Sequence, residues 1–170
     1  MNPIRQLLCV LDHFSEVFGR TLSLLTLLMM LLLSLVVILR YGFGIGNIAL
    51  QESVTYLHAT VFMLGVGYTL KLDGHVRVDI FYRRFSARRK AWVNSLGGII
   101  FLLPLCLFIV ASSWGFVSES WGMGEISAEP GGIPAVFLLK TLLLLMAANL
   151  FFQGLAEVLR SALTLVEHES

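Results

Sequence analysis

The charged side chains at the ends of long apolar stretches or inside them include Arg40, Glu52 and Lys140. A charge held within a membrane is costly unless it is paired, so each is a candidate functional residue. Lys140 follows Pro134 by six residues and Glu52 follows Asn47 by five, which places both about 7–9 Å along their helices. The similar depths predict a Glu52–Lys140 ion pair, within this chain or at a partner surface. Arg40 is the competing partner for Glu52, and Lys140 has the alternative of snorkelling outward alone.

The larger uncharged polar side chains within the apolar stretches include His58, Asn149 and Gln153. His58 is open to two interpretations, as a haem ligand or as a hydrogen-bonding group between helices. Bis-histidine haem needs a second histidine at similar depth, and the other three histidines, at positions 13, 75 and 168, lie outside these stretches. The hydrogen-bonding role is therefore favoured. Asn149 and Gln153, four residues apart, predict one polar stripe that faces protein rather than lipid.

No other arrangement of residues in the sequence points to catalysis or to a cofactor. Cys9 and Cys106 share no ligand spacing with the histidines, and we interpret both as small apolar side chains. The sequence has no nucleophile–base pair, no phosphate-binding glycine loop and no metal motif. We therefore predict a protein that is not an enzyme and that has no catalytic residues, no metal and no cofactor.

The composition indicates the environment in which these polar residues lie. Of the 170 residues, 57% are apolar and only 14% are charged, with a mean hydropathy of +0.84. A soluble fold of this size cannot bury so much apolar surface, so a soluble globular enzyme is excluded, and so is a disordered chain. The net charge of +1 provides no field to attract nucleic acid, and no nucleic-acid partner is predicted.

Four apolar stretches are long enough to cross a bilayer. The sequence predicts an all-α membrane protein of one domain, with four transmembrane helices at about 21–40, 50–70, 92–116 and 133–156. Pro104 lies inside the third stretch and predicts a kink. Residues 1–19 repeat apolar side chains at helical spacing, which favours a short amphipathic helix on the cytoplasmic membrane surface. The alternative for this segment is a cytoplasmic extension of the first span.

The distribution of basic residues predicts the orientation. Residues 71–90 hold seven Lys and Arg, whereas residues 118–132 hold none and carry Glu119, Glu125 and Glu129. The positive-inside rule therefore places the basic loop and both termini in the cytoplasm, and the acidic loop outside. Ser86 is the predicted N-cap of the third helix. Four arginines of the basic loop are predicted to contact lipid phosphates, namely Arg83, Arg84, Arg88 and Arg89.

Several short motifs follow one another along the predicted spans. The most specific lies just after the second span and consists of Gly74, His75, Val76, Arg77, Val78 and Asp79. The others are Arg40 to Phe43, Glu52, Leu64-Gly65, Gly132 to Pro134, Lys140, and Gln153 to Leu155. In this order they resemble the DctQ-like family, the small membrane subunits of tripartite ATP-independent periplasmic (TRAP) transporters. The resemblance covers roughly residues 21–163.

The resemblance implies a multi-pass subunit of an importer in the bacterial inner membrane. Its partners would be a large membrane subunit, a periplasmic solute-binding receptor and membrane lipids. The chain would act as a scaffold for the large subunit in sodium-coupled, receptor-dependent uptake of organic acids, such as dicarboxylates or α-keto acids. Arg40, Glu52 and Lys140 would help to hold the helices or the partner. The glutamates at positions 119, 125 and 129 would help to dock the receptor.

Two other functions remain open from the residues alone. The chain could be a membrane-anchor subunit of a redox complex that binds haem or quinone, in which case the purified chain would show a Soret band. It could also be an autonomous small transporter with Glu52 as a proton site. In that case proteoliposomes that contain only this chain would take up solute.

Overall fold

The computed structural model describes residues 3–75 and 82–167, and every regular element within these two ranges is helical. The helices are α1 (Pro3–Gly42), α2 (Ile48–Lys71), α3 (Ala87–Gly97), α4 (Leu103–Met123) and α5 (Val136–Glu167). A π-helical turn, Gly98–Leu102, joins α3 to α4. Residues Ala87–Met123 therefore form one continuous helical segment, called here the third segment.

The first helix is longer than the sequence suggested. α1 is a single helix of 40 residues. The described part of segment 1–19, predicted as a separate interfacial helix, is therefore the beginning of the helix that contains the first predicted span. Leu8 and Ser15 are buried, because this part of α1 packs against other helices of the chain. The alternative, an extension of the first span, agrees with this geometry.

Local hydrogen bonds explain where α2 begins and ends. The Asn47 side chain accepts a hydrogen bond from the amide of Leu50 at 3.0 Å and so caps the first turn of the helix. After Lys71 the chain turns at Asp73, which adopts a left-handed conformation with φ 55°. Asp is one of the few residues other than glycine that tolerates this conformation. The amide of Gly74 then bonds to the carbonyl of Thr69 at 2.9 Å and closes the turn.

The third segment contains the irregularity that Pro104 predicted. Proline has no amide hydrogen and cannot complete the regular bond to the carbonyl four residues earlier. The chain widens into the π-helical turn immediately before Pro104, where the amide of Leu103 bonds to the carbonyl of Gly98. At the other end of the segment, the Ser86 side chain accepts a hydrogen bond from the amide of Arg89, which confirms the predicted N-cap.

Three stretches of the described chain are long and apolar enough to cross a membrane, namely Arg5–Gly42, Ala87–Met123 and Val136–Val166. α2 is not among them, although its 24 residues are sufficient in length. It is less apolar because it carries polar residues such as Glu52, His58 and Lys71. Residues 3–75 and 82–167 therefore form an all-α structure with three candidate spans and one further helix of spanning length.

α5 is the helix against which the others pack. α2 and the third segment both contact α5 extensively, and α1 packs on α2 and on α5. Leu22 of α1, Leu64 of α2 and Leu142 of α5 form the buried apolar core. Large apolar side chains such as Leu24 and Phe108 stay exposed on α1 and on the third segment. Apolar surface of this extent is suited to lipid or to another membrane protein.

Candidate functional site

The loop between the third segment and α5 is fastened to the start of α2. The Glu52 carboxylate accepts a hydrogen bond from the Ser127 hydroxyl and another from the amide of Ile133, at 2.5 Å. Gly132 makes this approach possible, since a Cβ atom there would lie 2.7 Å from Glu52 Oε1. Glu52 therefore receives its two donors from the loop and holds the loop against α2.

The same loop is fastened to α5 through Lys140. The Lys140 ammonium forms an ion pair with Glu125 at 2.5 Å and lies 3.9 Å from the centre of the Phe116 ring. One turn away, the Trp121 indole donates a hydrogen bond to the hydroxyl of Thr141 at 2.9 Å. We call Glu52, Glu125, Ser127, Ile133 and Lys140 the loop cluster. It joins α2, the loop and α5 at one end of the molecule.

A second group of charges joins α1, α2 and α5 at the other end. Arg160 of α5 donates hydrogen bonds to both carboxylate oxygens of Asp12, at 2.8 and 3.0 Å, and also pairs with Glu157. Lys71 of α2 pairs with Glu16 at 2.9 Å and donates to the backbone carbonyl of Asp12 at 2.8 Å. We call Asp12, Glu16, Lys71, Glu157 and Arg160 the terminal cluster.

The two clusters are separated by about the thickness of a bilayer's hydrocarbon core. Glu52 and Lys71 lie 19 positions apart on α2, which corresponds to about 28 Å at 1.5 Å per residue. Lys140 and Arg160 lie 20 positions apart on α5, or about 30 Å. A hydrocarbon core is about 30 Å thick. The charges of α2 and α5 thus stand at two levels with an apolar layer of membrane thickness between them.

Uncharged polar side chains join the helices between these levels. The Asn149 amide donates a hydrogen bond to the carbonyl of Leu64 at 2.7 Å and so connects α5 with α2. The Ser15 hydroxyl donates to Gln153 Oε1 at 2.6 Å and connects α1 with α5, where the Gln153 side chain is almost fully buried. The Asn149–Gln153 stripe lies against protein at both positions. The arrangement fixes helix to helix and forms no convergent polar site.

One family comparison bears directly on this arrangement. A model of the family described as "Tripartite ATP-independent periplasmic transporters, DctQ component" matches residues 29–164. The chain belongs to the DctQ family. A comparison with curated proteins gave no match, and a comparison with solved structures gave none either. The DctQ match covers both positions of the Glu52–Ser127 contact, the whole loop and Lys140, whereas Asp12 and Glu16 of the terminal cluster lie outside it.

Within this DctQ chain, the charged residues have partners different from those predicted. Glu125 is the carboxylate that pairs with Lys140, so the predicted Glu52–Lys140 pair needs correction. Glu52 is bound by Ser127 and Ile133 instead, while Arg40 lies exposed at the end of α1. Equal depth was not sufficient to predict the pair, because the loop brings its own carboxylate to Lys140.

The remaining predicted residues lie mostly at the surface. His58 is exposed on α2, and its ring stacks on Phe62 at 6.3 Å between ring centres. Glu119 and Glu129 are exposed, whereas Glu125 is engaged with Lys140. The four arginines of the basic loop are all exposed, at positions 83, 84, 88 and 89. Of the DctQ-like motif, Gly74 and His75 lie in the described part, and Val76, Arg77, Val78 and Asp79 lie outside the described residues.

The terminal cluster was not predicted from the sequence. Asp12 and Glu16 lie four residues apart and therefore share one face of α1, which is a weak indication of a charged contact. Lys71 and Arg160 are the basic residues that close the second and fourth apolar stretches on the same predicted side. These two observations together could have indicated the cluster. In the predicted interfacial helix, by contrast, both acids would lie on the polar face and bind no other helix.

The Lys140–Glu125 pair predicts the outcome of a charge exchange. Lys140→Glu and Glu125→Lys should each lower the melting temperature of the purified protein, because each places two like charges in contact. The double exchange should restore most of the loss. The pair predicted from depth supplies the control, since Glu52→Lys with Lys140→Glu should restore none. Equal recovery in the two double variants would contradict the assignment of Glu125 as the partner.

The same pair predicts a dependence of stability on pH. The hydrogen bond from Lys140 lowers the pKa of Glu125 from its ordinary value of 4.5. Because the pKa of Glu125 is lower in the folded state than its ordinary value of 4.5, the pair stabilises the fold fully above about pH 4.5. This stabilisation is lost as the pH falls from there through the lower pKa of the folded state. The difference in melting temperature between the wild type and Glu125→Gln should therefore shrink below about pH 4.5. Glu129→Gln, an exposed glutamate in the same loop, should show a small difference at all pH values. A wild-type advantage over Glu125→Gln that stays constant into acid would be inconsistent with this account.

Proposed function

We propose that this chain is the scaffold subunit of a TRAP transporter in the bacterial inner membrane, where it stabilises a large membrane subunit. The transporter would take up organic acids, such as dicarboxylates or α-keto acids, that a periplasmic receptor delivers, and a sodium gradient would drive uptake. The observation that carries this proposal is the DctQ match over residues 29–164. The sodium coupling and the substrate class follow from the family resemblance.

The proposal includes four membrane crossings with both termini in the cytoplasm. Support comes from the two clusters, which hold the charges of α2 at levels about 28 Å apart and leave an apolar stretch of spanning length between them. A helix that packs against both α1 and α5 exposes less surface to lipid and can be less apolar than the others. The seven basic residues of positions 71–90 favour the cytoplasmic side for the terminal cluster.

The scaffold role is supported by how the polar side chains are used. In the part of the chain that the structure describes, Asp12, Glu52, Lys71, Lys140 and Arg160 each bind another helix or the loop that packs on it. Groups engaged in this way hold the helices in one arrangement and are not available to follow a substrate through a transport cycle. A rigid unit with long apolar flanks is suited to broaden the stationary part of a larger membrane protein.

Contacts outside the membrane belong to the same proposal. Glu119 and Glu129 are exposed next to the loop cluster and would face a periplasmic receptor, whereas Glu125 would act through the loop that it holds. On the opposite side, the exposed arginines at positions 83, 84, 88 and 89 would bind lipid phosphates. Both assignments use charge that is accessible in this chain.

The proposed function is tested by recovery of the partner. The chain is tagged, extracted from its native membrane in mild detergent and captured, and the captured proteins are identified by mass spectrometry. We expect one large, highly apolar membrane protein in an amount near that of the tagged chain. Capture of redox subunits, or of the chain alone as a stable oligomer, would overturn the proposal. Proteoliposomes with both subunits and the receptor should then take up carboxylates on a sodium gradient, and proteoliposomes with this chain alone should not.

A further inference from the structure

One face of α2 differs chemically from the other exposed surfaces of the chain. Thr55, His58 and Phe62 are exposed there, at spacings of three and four residues that place them on one side of the helix. His58 lies six residues from Glu52 and thirteen from Lys71, or about 9 and 20 Å from the two charged levels. An imidazole is too short to reach either level, so it lies within the apolar layer.

His58 has no hydrogen bond to any described residue, and its described contact is the stacked ring of Phe62. Exposed hydroxyl groups on the long apolar helices can satisfy themselves by donating to a carbonyl one turn earlier. Ser34 donates to Met30 in this way at 2.9 Å, and Ser112 donates to Ile109 at 3.2 Å. An imidazole has a ring N–H donor and no comparable partner on its own helix. Unlike the hydroxyls of Ser34 and Ser112, the imidazole of His58 therefore has no hydrogen-bond partner on its own helix.

The helices of this chain do not cover the His58 face. Leu64 marks the side of α2 that is turned to the core with Leu22 and Leu142. Thr55 and Phe62 lie about 160–180° around the helix from Leu64, at 100° per residue. Phe62 is accordingly 70% exposed. The face is directed away from the packing that α1 and α5 provide.

We propose that this face, Thr55, His58 and Phe62, is where a helix of the large membrane subunit packs, and that this helix presents a hydrogen-bonding group to His58. Lipid chains offer no acceptor or donor at this depth, and ionisable residues within spans are found against protein or in water-filled cavities. The proposal rests on the proposed function, and on α2 crossing the membrane. It adds which side of the chain meets the partner and the chemistry of the contact. A small or polar side chain, or a free backbone carbonyl at a helix break, would suit the imidazole.

Photo-cross-linking in the assembled transporter tests the proposed face. Phe62 is replaced by benzoylphenylalanine, which is close to phenylalanine in shape, and native membranes are irradiated before capture. Phe108 of the third segment is the matched background position, since it is also an aromatic residue and is 67% exposed against 70% for Phe62. We expect the yield of adducts with the large subunit to be higher from position 62 than from position 108.

The outcomes separate this inference from the proposed function. If the unmodified tagged chain recovers the large subunit but position 62 yields only lipid adducts or none, the docking face is wrong and the proposed function stands. An adduct between two copies of this chain would overturn the choice of partner. If the unmodified chain recovers no large subunit, both proposals fail together.

Substitution of His58 tests the hydrogen bond. His58→Leu should lower the amount of large subunit recovered by about 3- to 10-fold, the range expected for one interhelical hydrogen bond in a membrane. His58→Gln keeps a donor and an acceptor and should recover much of it. The membrane level of the tagged chain should be unchanged in both variants, because His58 holds no helix of this chain. Full recovery with His58→Leu would overturn the role of the imidazole.

Discussion

Gly67→Ala should destabilise the protein by about 1–3 kcal/mol, the usual cost of overpacking a tight helix contact. A Cβ atom at position 67 would lie 2.5 Å from Asn149 Oδ1 and 2.9 Å from Asn149 Cγ. The amide cannot swing aside freely, because its nitrogen donates to the carbonyl of Leu64 at 2.7 Å. The substitution must therefore either break this hydrogen bond or push α5 away from α2. The melting temperature of the purified complex in detergent measures the effect.

Gly65→Ala is the matched control for this prediction. Gly65 lies two positions earlier on the same helix, and a Cβ atom there would meet only Leu22 Cδ1 at 3.9 Å, an ordinary van der Waals distance. Alanine is also a better helix former than glycine. Gly65→Ala should therefore leave the melting temperature unchanged or raise it. Equal losses in the two variants would show that the close approach of α2 and α5 at Gly67 is not what limits stability.

Arg160→Ala should cost about 1–3 kcal/mol, the range for hydrogen bonds to charged groups in a partly buried site. The substitution removes the two bonds to Asp12 and the pair with Glu157, and it leaves both carboxylates without their cation. Asp12 belongs to α1 and Arg160 to α5, so the ionic contact between these two helices is lost, while the Ser15–Gln153 hydrogen bond remains. Heat denaturation of the complex and protease sensitivity of the N-terminal part of α1 would both report this loss.

Arg20→Ala provides the comparison for Arg160. Arg20 is 78% exposed and pairs with Glu16 one turn away on its own helix, a kind of contact that contributes little. The Arg20 variant should keep the wild-type melting temperature. Arg160→Lys should recover part of the loss, since it keeps the charge but not the planar fork whose two nitrogens reach Asp12 and Glu157. A loss in the Arg20 variant as large as in the Arg160 variant would mean that net charge, and not the bond between α1 and α5, matters at this end.

The positions of the helices could be predicted because they depend only on the order of residues along the chain. Uncharged stretches of sufficient length indicated each long helix, Ser86 indicated a helix start, and the ordered motifs indicated the DctQ family. The partners of the charges depend on a second quantity, the angle around each helix, together with the path of the loops. Glu52 and Lys140 have matching depths, yet the loop places Glu125 against Lys140 and Ser127 against Glu52.

The N-terminal segment and the glycines show the same limit. An apolar stripe with charges between its members is typical of a helix on a membrane surface and equally of a helix that packs on its neighbours. In the structure this part of α1 packs on its neighbours, because Glu16 pairs with Lys71 of α2 and Asp12 with Arg160 of α5. Both basic residues are distant from α1 in sequence, so the sequence of the N-terminal segment alone does not indicate these contacts. Small residues permit close helix approach, and the sequence has glycines at 65 and 67 and at 97 and 98 within its apolar stretches. A Cβ atom would meet Asn149 at Gly67 and Val158 at Gly98, whereas Gly97 has nothing within 4 Å.

The position of the cations on α5 has a consequence for how the protein is made. Lys140 and Arg160 both belong to α5, so they are synthesised after the carboxylates of Asp12 and Glu125 that they bind. Until α5 has been inserted, Asp12 and Glu125 lack the cations that they bind in the finished chain. Insertion of α5 therefore supplies the cations of the loop cluster and of the terminal cluster in one event. A nascent chain that stalls before this point carries the carboxylates of Asp12 and Glu125 without the cations that neutralise them in the finished fold.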